Sequence, residues 1–135
     1  MKLLIRFLLL TMLAGSAQGA RLTEKLPLDK EFKIKVGQEV TVKKLIIKFN
    51  AVHNESRCPT GVQCIWEGNA AIAVQVSRKN KKPVQATLNT NTGVPPSAMK
   101  YKGFTIRLVK LSPHPQVNQT INEKDYEATL IVTSE

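Results

Sequence analysis

The sequence predicts an all-β chain folded as an antiparallel, immunoglobulin-like β-sandwich of about seven strands, with a small β-barrel as the second choice. Three observations predict it. Apolar residues recur with a period of two along most of the chain, turn-rich links separate the runs, and no segment carries the spacing of an amphipathic helix.

The elements follow in order. Phe32, Ile34 and Val36 alternate with Lys33 and Lys35, and Gly37-Gln38 turns the chain. Val40 and Val42 continue on even positions. Beyond Lys43-Lys44 the apolar set moves to odd positions: Leu45, Ile47, Phe49 and Ala51. A slip of one residue turns every side chain over, so Lys43-Lys44 is where a bulge or strand break belongs. Ala70, Ile72, Val74 and Val76 form the next run, and Arg78-Lys79-Asn80-Lys81-Lys82-Pro83 is a charged connection. Val84, Ala86 and Leu88 alternate again. Asn89 to Ser97, with Gly93 and Pro95-Pro96, reads as a loop. Phe104, Ile106 and Leu108 resume the pattern, with Val109 and Leu111 on the opposite face. Ser112-Pro113-His114-Pro115 stops that strand, because proline has no N–H for a ladder. Residues 113–125 have room for a short helical turn. Tyr126, Ala128, Leu130 and Val132 make the last strand.

Residues 1–20 have the layout of a secretory signal peptide. Lys2 and Arg6 give the positive start, Leu3 to Ala14 the apolar stretch, and Ala17 and Gly19 the small residues of a cleavage site between Gly19 and Ala20. The stretch is shorter than the roughly 20 residues of a spanning helix. Residue 16 is serine, so a lipoprotein signal lacks its cysteine. The expected product is an exported, soluble, unlipidated protein, periplasmic or secreted, with residues 20–135 as one domain. A chain of that size buries roughly two-thirds of its unfolded surface, enough for a core without many staples. The net charge is +10, from 20 basic and 10 acidic residues. That favours anionic partners, and it equally suits any basic exported protein.

Both cysteines and the only tryptophan fall between Glu55 and Gly68. In an exported chain, Cys58 and Cys64 flanking Pro59-Thr60-Gly61 are expected to form a disulfide. Closing so small a ring is worth roughly 2 kcal/mol in the chain-entropy model, so the bridge adds to a core rather than replacing one. The competing readings are a catalytic thiolate near His53 and a metal site shared with His53 and His114. Oxidation removes the first, and the gap between the cysteines is wider than structural zinc uses. Trp66 shares parity with Cys64, Ala70 and Ile72, which aims its indole inward; a bulge at Gly68 would reverse that and leave an exposed binding platform. Arg57 and Glu55 share parity too, and the five guanidinium donors suit a salt bridge or backbone carbonyls. The candidate binding loop is therefore Arg57, Pro59, Gly61, Trp66, Glu67 and Gly68.

Candidate anion contacts form two groups: Arg78, Lys79, Lys81 and Lys82, and then Lys100 and Lys102, with Lys33, Lys35, Lys43, Lys44 and Lys48 on solvent faces. Lysine on strands is also ordinary protection against edge pairing. Few aromatics accompany this charge, which argues against nucleic acid as the partner. No paired carboxylates, serine elbow, phosphate loop or haem attachment sequence is present, so the chain is read as a non-enzyme without a cofactor or metal. Asn54-Glu55-Ser56 and Asn118-Gln119-Thr120 fit a glycan acceptor pattern and are taken as incidental.

The runs Ser56-Arg57-Cys58-Pro59 and Val62-Gln63-Cys64-Ile65-Trp66-Glu67-Gly68, with Leu111-Ser112-Pro113-His114-Pro115 and Asp125-Tyr126, resemble a family of small uncharacterised bacterial exported proteins and lipoproteins. Glu55 stands where that family has aspartate, Glu67 where it has alanine, and His114 where it has tyrosine. The resemblance implies compartment and domain type, not an activity. Asn89-Thr90-Asn91-Thr92-Gly93 also resembles, without its proline, the inhibitory loop of chagasin-type cysteine-protease inhibitors. The functional expectations are thus a non-catalytic binding or structural module using the stapled loop, then a peptidase inhibitor, then a polyanion-binding protein. The partner is expected to be a protein or an anionic envelope or extracellular component.

Overall fold

The computed structural model describes residues 25–135. The expected signal peptide and its cleavage site lie outside the described residues. The strands are β1 (Lys25–Leu26), β2 (Glu31–Lys35), β3 (Glu39–Val42), β4 (Leu45–His53), β5 (Ala71–Arg78), β6 (Val84–Asn89), β7 (Ala98–Tyr101), β8 (Phe104–Ser112) and β9 (Glu127–Ser134). A 3-10 turn, Glu123–Asp125, precedes β9. No helix among the described residues is long and apolar enough to cross a membrane.

Two sheets stack as a sandwich, one in the order β1-β3-β4-β5-β6 and the other β2-β9-β8-β7. Among the described residues every pairing between strands is antiparallel except the two-residue contact of β1 with β3, and an isolated parallel bridge joins Thr60 to Gln116. Alternation is what makes this arrangement: each strand turns one face to the facing sheet and the other to water. Ile34, Leu45, Ile47, Phe49, Ile72, Val74, Val76, Leu88, Ile106, Leu130 and Val132 are all fully buried between the sheets. At roughly 1.5–3 kcal/mol for each large side chain taken out of water, this core outweighs any single staple.

The seven expected strands are β2, β3, β4, β5, β6, β8 and β9. β1 and β7 are additional, the first too short to show a period and the second starting directly after the Pro95-Pro96 loop. The parity change at Lys43-Lys44 is a two-residue hairpin turn, since Val42 pairs with Leu45 and Lys43 has a φ of 54°. Two register shifts and one edge position revise three assignments. In β8 the register shifts between Leu108 and Lys110, so Val109 bulges outward and Leu111, expected on the outer face, is only 2% exposed in the core. In β4 the shift between Phe49 and Ala51 leaves Ala51 half-buried. On the edge strand β6 only Leu88 is fully buried, and Val84 faces solvent.

The registers also sort the connections. His53 pairs with Ala71, Ala71 with Asn89, and Ser112 with Glu127, so the loops 54–70, 90–97 and 113–126 gather at one end of the sandwich. Leu45 pairs with Arg78, Val76 with Val84, and Phe104 with both Tyr101 and Ser134. The turns 43–44, 79–83 and 102–103 therefore share the opposite end.

Candidate functional site

The loop between β4 and β5 is built from its base upward. Its two arms pair: the Ser56 N–H donates to the Asn69 carbonyl at 2.7 Å and the Cys58 N–H to the Glu67 carbonyl at 2.9 Å. The arms approach so closely that a Cβ on Gly68 would collide with the Ser56 carbonyl oxygen and come within 2.9 Å of the Arg57 Cα. Gly68 also has a φ of 73°, so two independent constraints demand glycine there. Above the base, Cys58 and Cys64 are bonded, their sulfurs 2.11 Å apart. Inside that ring the Val62 N–H returns to the Pro59 carbonyl at 3.2 Å, and Gly61 supplies the positive φ, 90°, that such a turn places at its third residue.

Arg57 points inward and is 8% exposed. Its Nε donates to Glu55 Oε1 at 2.9 Å and its Nη2 to Glu55 Oε2 at 2.6 Å. Nη1 reaches the Leu111 carbonyl at 2.7 Å, and Nη2 the Pro113 carbonyl at 3.0 Å. The planar fork thus holds a carboxylate on one side and the end of β8 on the other, satisfying a charge that would be costly to bury alone. The Tyr126 hydroxyl donates to Glu55 Oε2 at 3.0 Å. Burial works against ionising Glu55, but the hydrogen bonds and charge of Arg57 and the Tyr126 hydroxyl outweigh it and hold the carboxyl below its usual value of 4.5. Burial first, then the hydrogen bond and charge of Glu55, pushes the Tyr126 phenol up to about 12.

Neighbouring loops lock onto this base. The Thr60 N–H donates to the Pro115 carbonyl at 2.9 Å, and His114 Nε2 lies 2.8 Å from the Cys58 carbonyl as its donor. From the other side, Asn69 Nδ2 donates to Asn89 Oδ1 at 2.8 Å, Asn91 Nδ2 to the Gly68 carbonyl at 2.8 Å, and the Asn91 N–H to Asn69 Oδ1 at 3.0 Å. Three connections are thereby fused into one rigid cap, with a recess of about 170 Å³ among Arg57, Glu67, Gly68, Thr90, Asn91 and His114.

The apex carries the surprise. Trp66, expected inward, is 57% exposed, and Ile65 is fully exposed at 107%. Parity does not carry from Cys64 to Ala70, because residues 65–70 form no regular strand and the positive φ of Gly68 breaks the alternation before β5 begins. Val62 and Val117 are exposed as well, and Val117 Cγ2 would lie 3.8 Å from a Cβ on Gly61. Of the six exposed large hydrophobic residues among the described ones, Val62, Ile65, Trp66 and Val117 stand at this one end. Among the candidate loop residues, Arg57 and Gly68 are buried and act on the loop's shape; Pro59 is half-buried; Gly61, Trp66 and Glu67 are exposed. Ile65 and Val62 were missed because no strand period extends into the loop between β4 and β5. Consecutive apolar residues inside a turn-rich loop were the available signal.

The basic candidates divide differently from their order in the sequence. Arg78, Lys79, Lys81, Lys82 and Lys102 come together at the far end of the sandwich, joined by Lys25, Lys43 and Lys44 around adjoining recesses. Lys100 lines none of these recesses, and its Nζ is 3.0 Å from Glu135 Oε1. Lys33, on β2 of the same sheet as Lys100, faces Glu127 at 3.9 Å.

No family model, curated protein or solved structure matches the chain.

Proposed function

We propose that the chain is an exported, non-catalytic binding module whose contact surface is the apex of the disulfide loop. One observation carries the reading: Ile65 and Trp66 stand in water on a loop whose base is tied at every level, from the Cys58–Cys64 bond to the buried Arg57 fork. Covering two such side chains is worth roughly 1.5–3 kcal/mol each, and a loop already held in one shape gives up little entropy on binding. Tryptophan in a central exposed position is also the commonest kind of binding hot spot. The secretory layout of residues 1–20 and the likeness of the loop motif to small exported bacterial proteins support the compartment. The partner is a protein with an apolar recess, since no lysine or arginine besides the buried Arg57 lies between Asn54 and Ala70 to favour an anionic surface.

Recovery of the partner from envelope or culture extracts is the test. Folded Trp66→Ala and Ile65→Asp variants are expected to lose at least about 2 kcal/mol, roughly 30-fold in affinity, as hot-spot truncations do. Undiminished recovery by either folded variant counts against the reading.

The fusion of the Asn89–Ser97 loop to the stapled loop supports a second reading, inhibition of a peptidase by insertion of this rigid cap into its cleft. Titration against a panel of cysteine and serine peptidases decides it. Slowing at micromolar protein that is lost in Trp66→Ala supports inhibition; no slowing removes it.

A further inference from the structure

The end of the sandwich opposite the stapled loop has a character of its own. Three recesses adjoin there, of about 540, 610 and 340 Å³. Arg78 lines all three, while Lys25, Lys43 and Lys44 line the first two and Lys81 the first and third. No carboxylate among the described residues lines any of them, and no ion pair among those residues involves these cations. Lys33 on β2 and Lys100 on β7 each have an acidic neighbour, and the partner of Lys100, Glu135, stands at this end with its N–H donating to the Gly103 carbonyl, outside the lining of the recesses.

The backbone supplies an independent sign. Lys43 has a φ of 54° and Lys102 a φ of 49°, in the left-handed region where glycine or asparagine sits at lower cost. Both residues occupy tight turns at this end, beside the recesses their side chains line. Backbone strain in two turns, each carried by a lysine beside the recesses, points to a use for the lysines.

We propose that this end is a second binding site, for a linear anionic glycan carrying sulfate or phosphate groups, independent of the stapled loop. Cations from three separate chain connections meet in adjoining open recesses sharing Arg78, which suits a chain of spaced charges better than a single ion. Lysine ammonium groups are mobile point charges and accept sulfate or phosphate at variable spacing. A single-stranded nucleic acid would want exposed aromatic faces for its bases, and Tyr101 is only 7% exposed while Phe104 is half-buried. A lipid surface would want apolar side chains to insert beside the charge. The exposed apolar residues instead cluster at the opposite end, with Val84 the exception here.

The test uses the full mature chain, a heparin octasaccharide and a glycerol-phosphate oligomer as probes, and calorimetric titration across a salt series. Lys43→Glu/Lys44→Glu and Lys79→Glu/Lys81→Glu are each expected to weaken binding at least about tenfold and to flatten the salt dependence, as the loss of ionic contacts does. Lys33→Glu/Lys35→Glu makes the same change of net charge on the other sheet and is expected to leave affinity within about twofold, since charges beyond a screening length contribute little. Lys43→Gly relieves the strained turn, so melting temperature is expected to rise while affinity falls. Trp66→Ala, which tests the loop, is expected to bind both probes as the parent does. Equal weakening by the control pair would reduce the effect to net charge and overturn the site. Equal or tighter binding of charge-matched single-stranded DNA, or of anionic phospholipid vesicles, would overturn the glycan assignment. No binding of either probe at low salt overturns the proposal outright.

Discussion

Arg57 shows how much a single side chain can hold. Its four hydrogen bonds to Glu55, Leu111 and Pro113 join residues 54 and 56 positions apart in sequence to the foot of the stapled loop. Removing it leaves the Glu55 carboxylate and two carbonyls short of donors. Arg57→Ala is therefore expected to cost about 3–5 kcal/mol, the range for breaking a buried pair, read from urea unfolding. Arg57→Lys recovers only part of that, because one ammonium cannot span both carbonyls and both carboxylate oxygens. The same cluster sets the response to pH. The folded state holds Glu55 below 4.5, so the unfolded chain takes up that proton first as pH falls. Its contribution is complete above pH 4.5 and is lost as pH drops through the lower folded value. Tyr126 works in the other direction. With its phenol raised from 10.0 to about 12, stability is complete below pH 10 and declines as pH rises to about 12. Unfolding midpoints measured across both windows check this, and Tyr126→Phe is expected to abolish the alkaline decline. The Arg57–Glu55 pairing was legible from shared parity and the donor count of arginine. Tyr126 as a member was not, because it lies 71 residues from Glu55 and nothing local links them.

Among the elements, β8 is the most instructive. Alternation carries Phe104, Ile106 and Leu108 correctly, then fails at one extra residue. The bulge at Val109 passes the inward face from even to odd positions, which puts Leu111 beside the core and opposite Ala128. It also aims the Leu111 carbonyl at Arg57, tying the strand's irregularity to the loop's anchor. Val109→Lys is expected to change stability by no more than about 0.5 kcal/mol, as exposed sites do. Leu111→Ala, two residues on, should cost about 2–5 kcal/mol through the cavity it leaves. Equal effects of the two substitutions in thermal or denaturant unfolding would contradict the bulge. Regular strands could be read residue by residue, because successive side chains point to opposite faces. Bulges could not, because the extra residue is specified by the partner strand and by packing.

On the scale of the whole molecule, the sandwich separates two surfaces. The core lies between the sheets and the stapled loop stands beyond their rim, so the disulfide and the core are energetically distinct. Cys58→Ser/Cys64→Ser is expected to remain folded with a loss of roughly 2 kcal/mol, while the ring between residues 58 and 64 becomes sensitive to proteolysis. Circular dichroism and limited digestion check both halves; global unfolding would mean that the bridge, not the core, holds the fold. Effects at the two ends should add, since they share no partners. The sequence by itself determined the all-β class, seven of the strands, most inward faces and the disulfide. Each of these follows from neighbours a few residues apart, where backbone geometry dictates direction. Only the tertiary structure decided that Trp66 faces water, that Leu111 faces the core, and that lysines from three connections meet at one end. Those outcomes depend on a positive φ, an inserted residue and strand registers, and all three are settled by how the sheets close on one another.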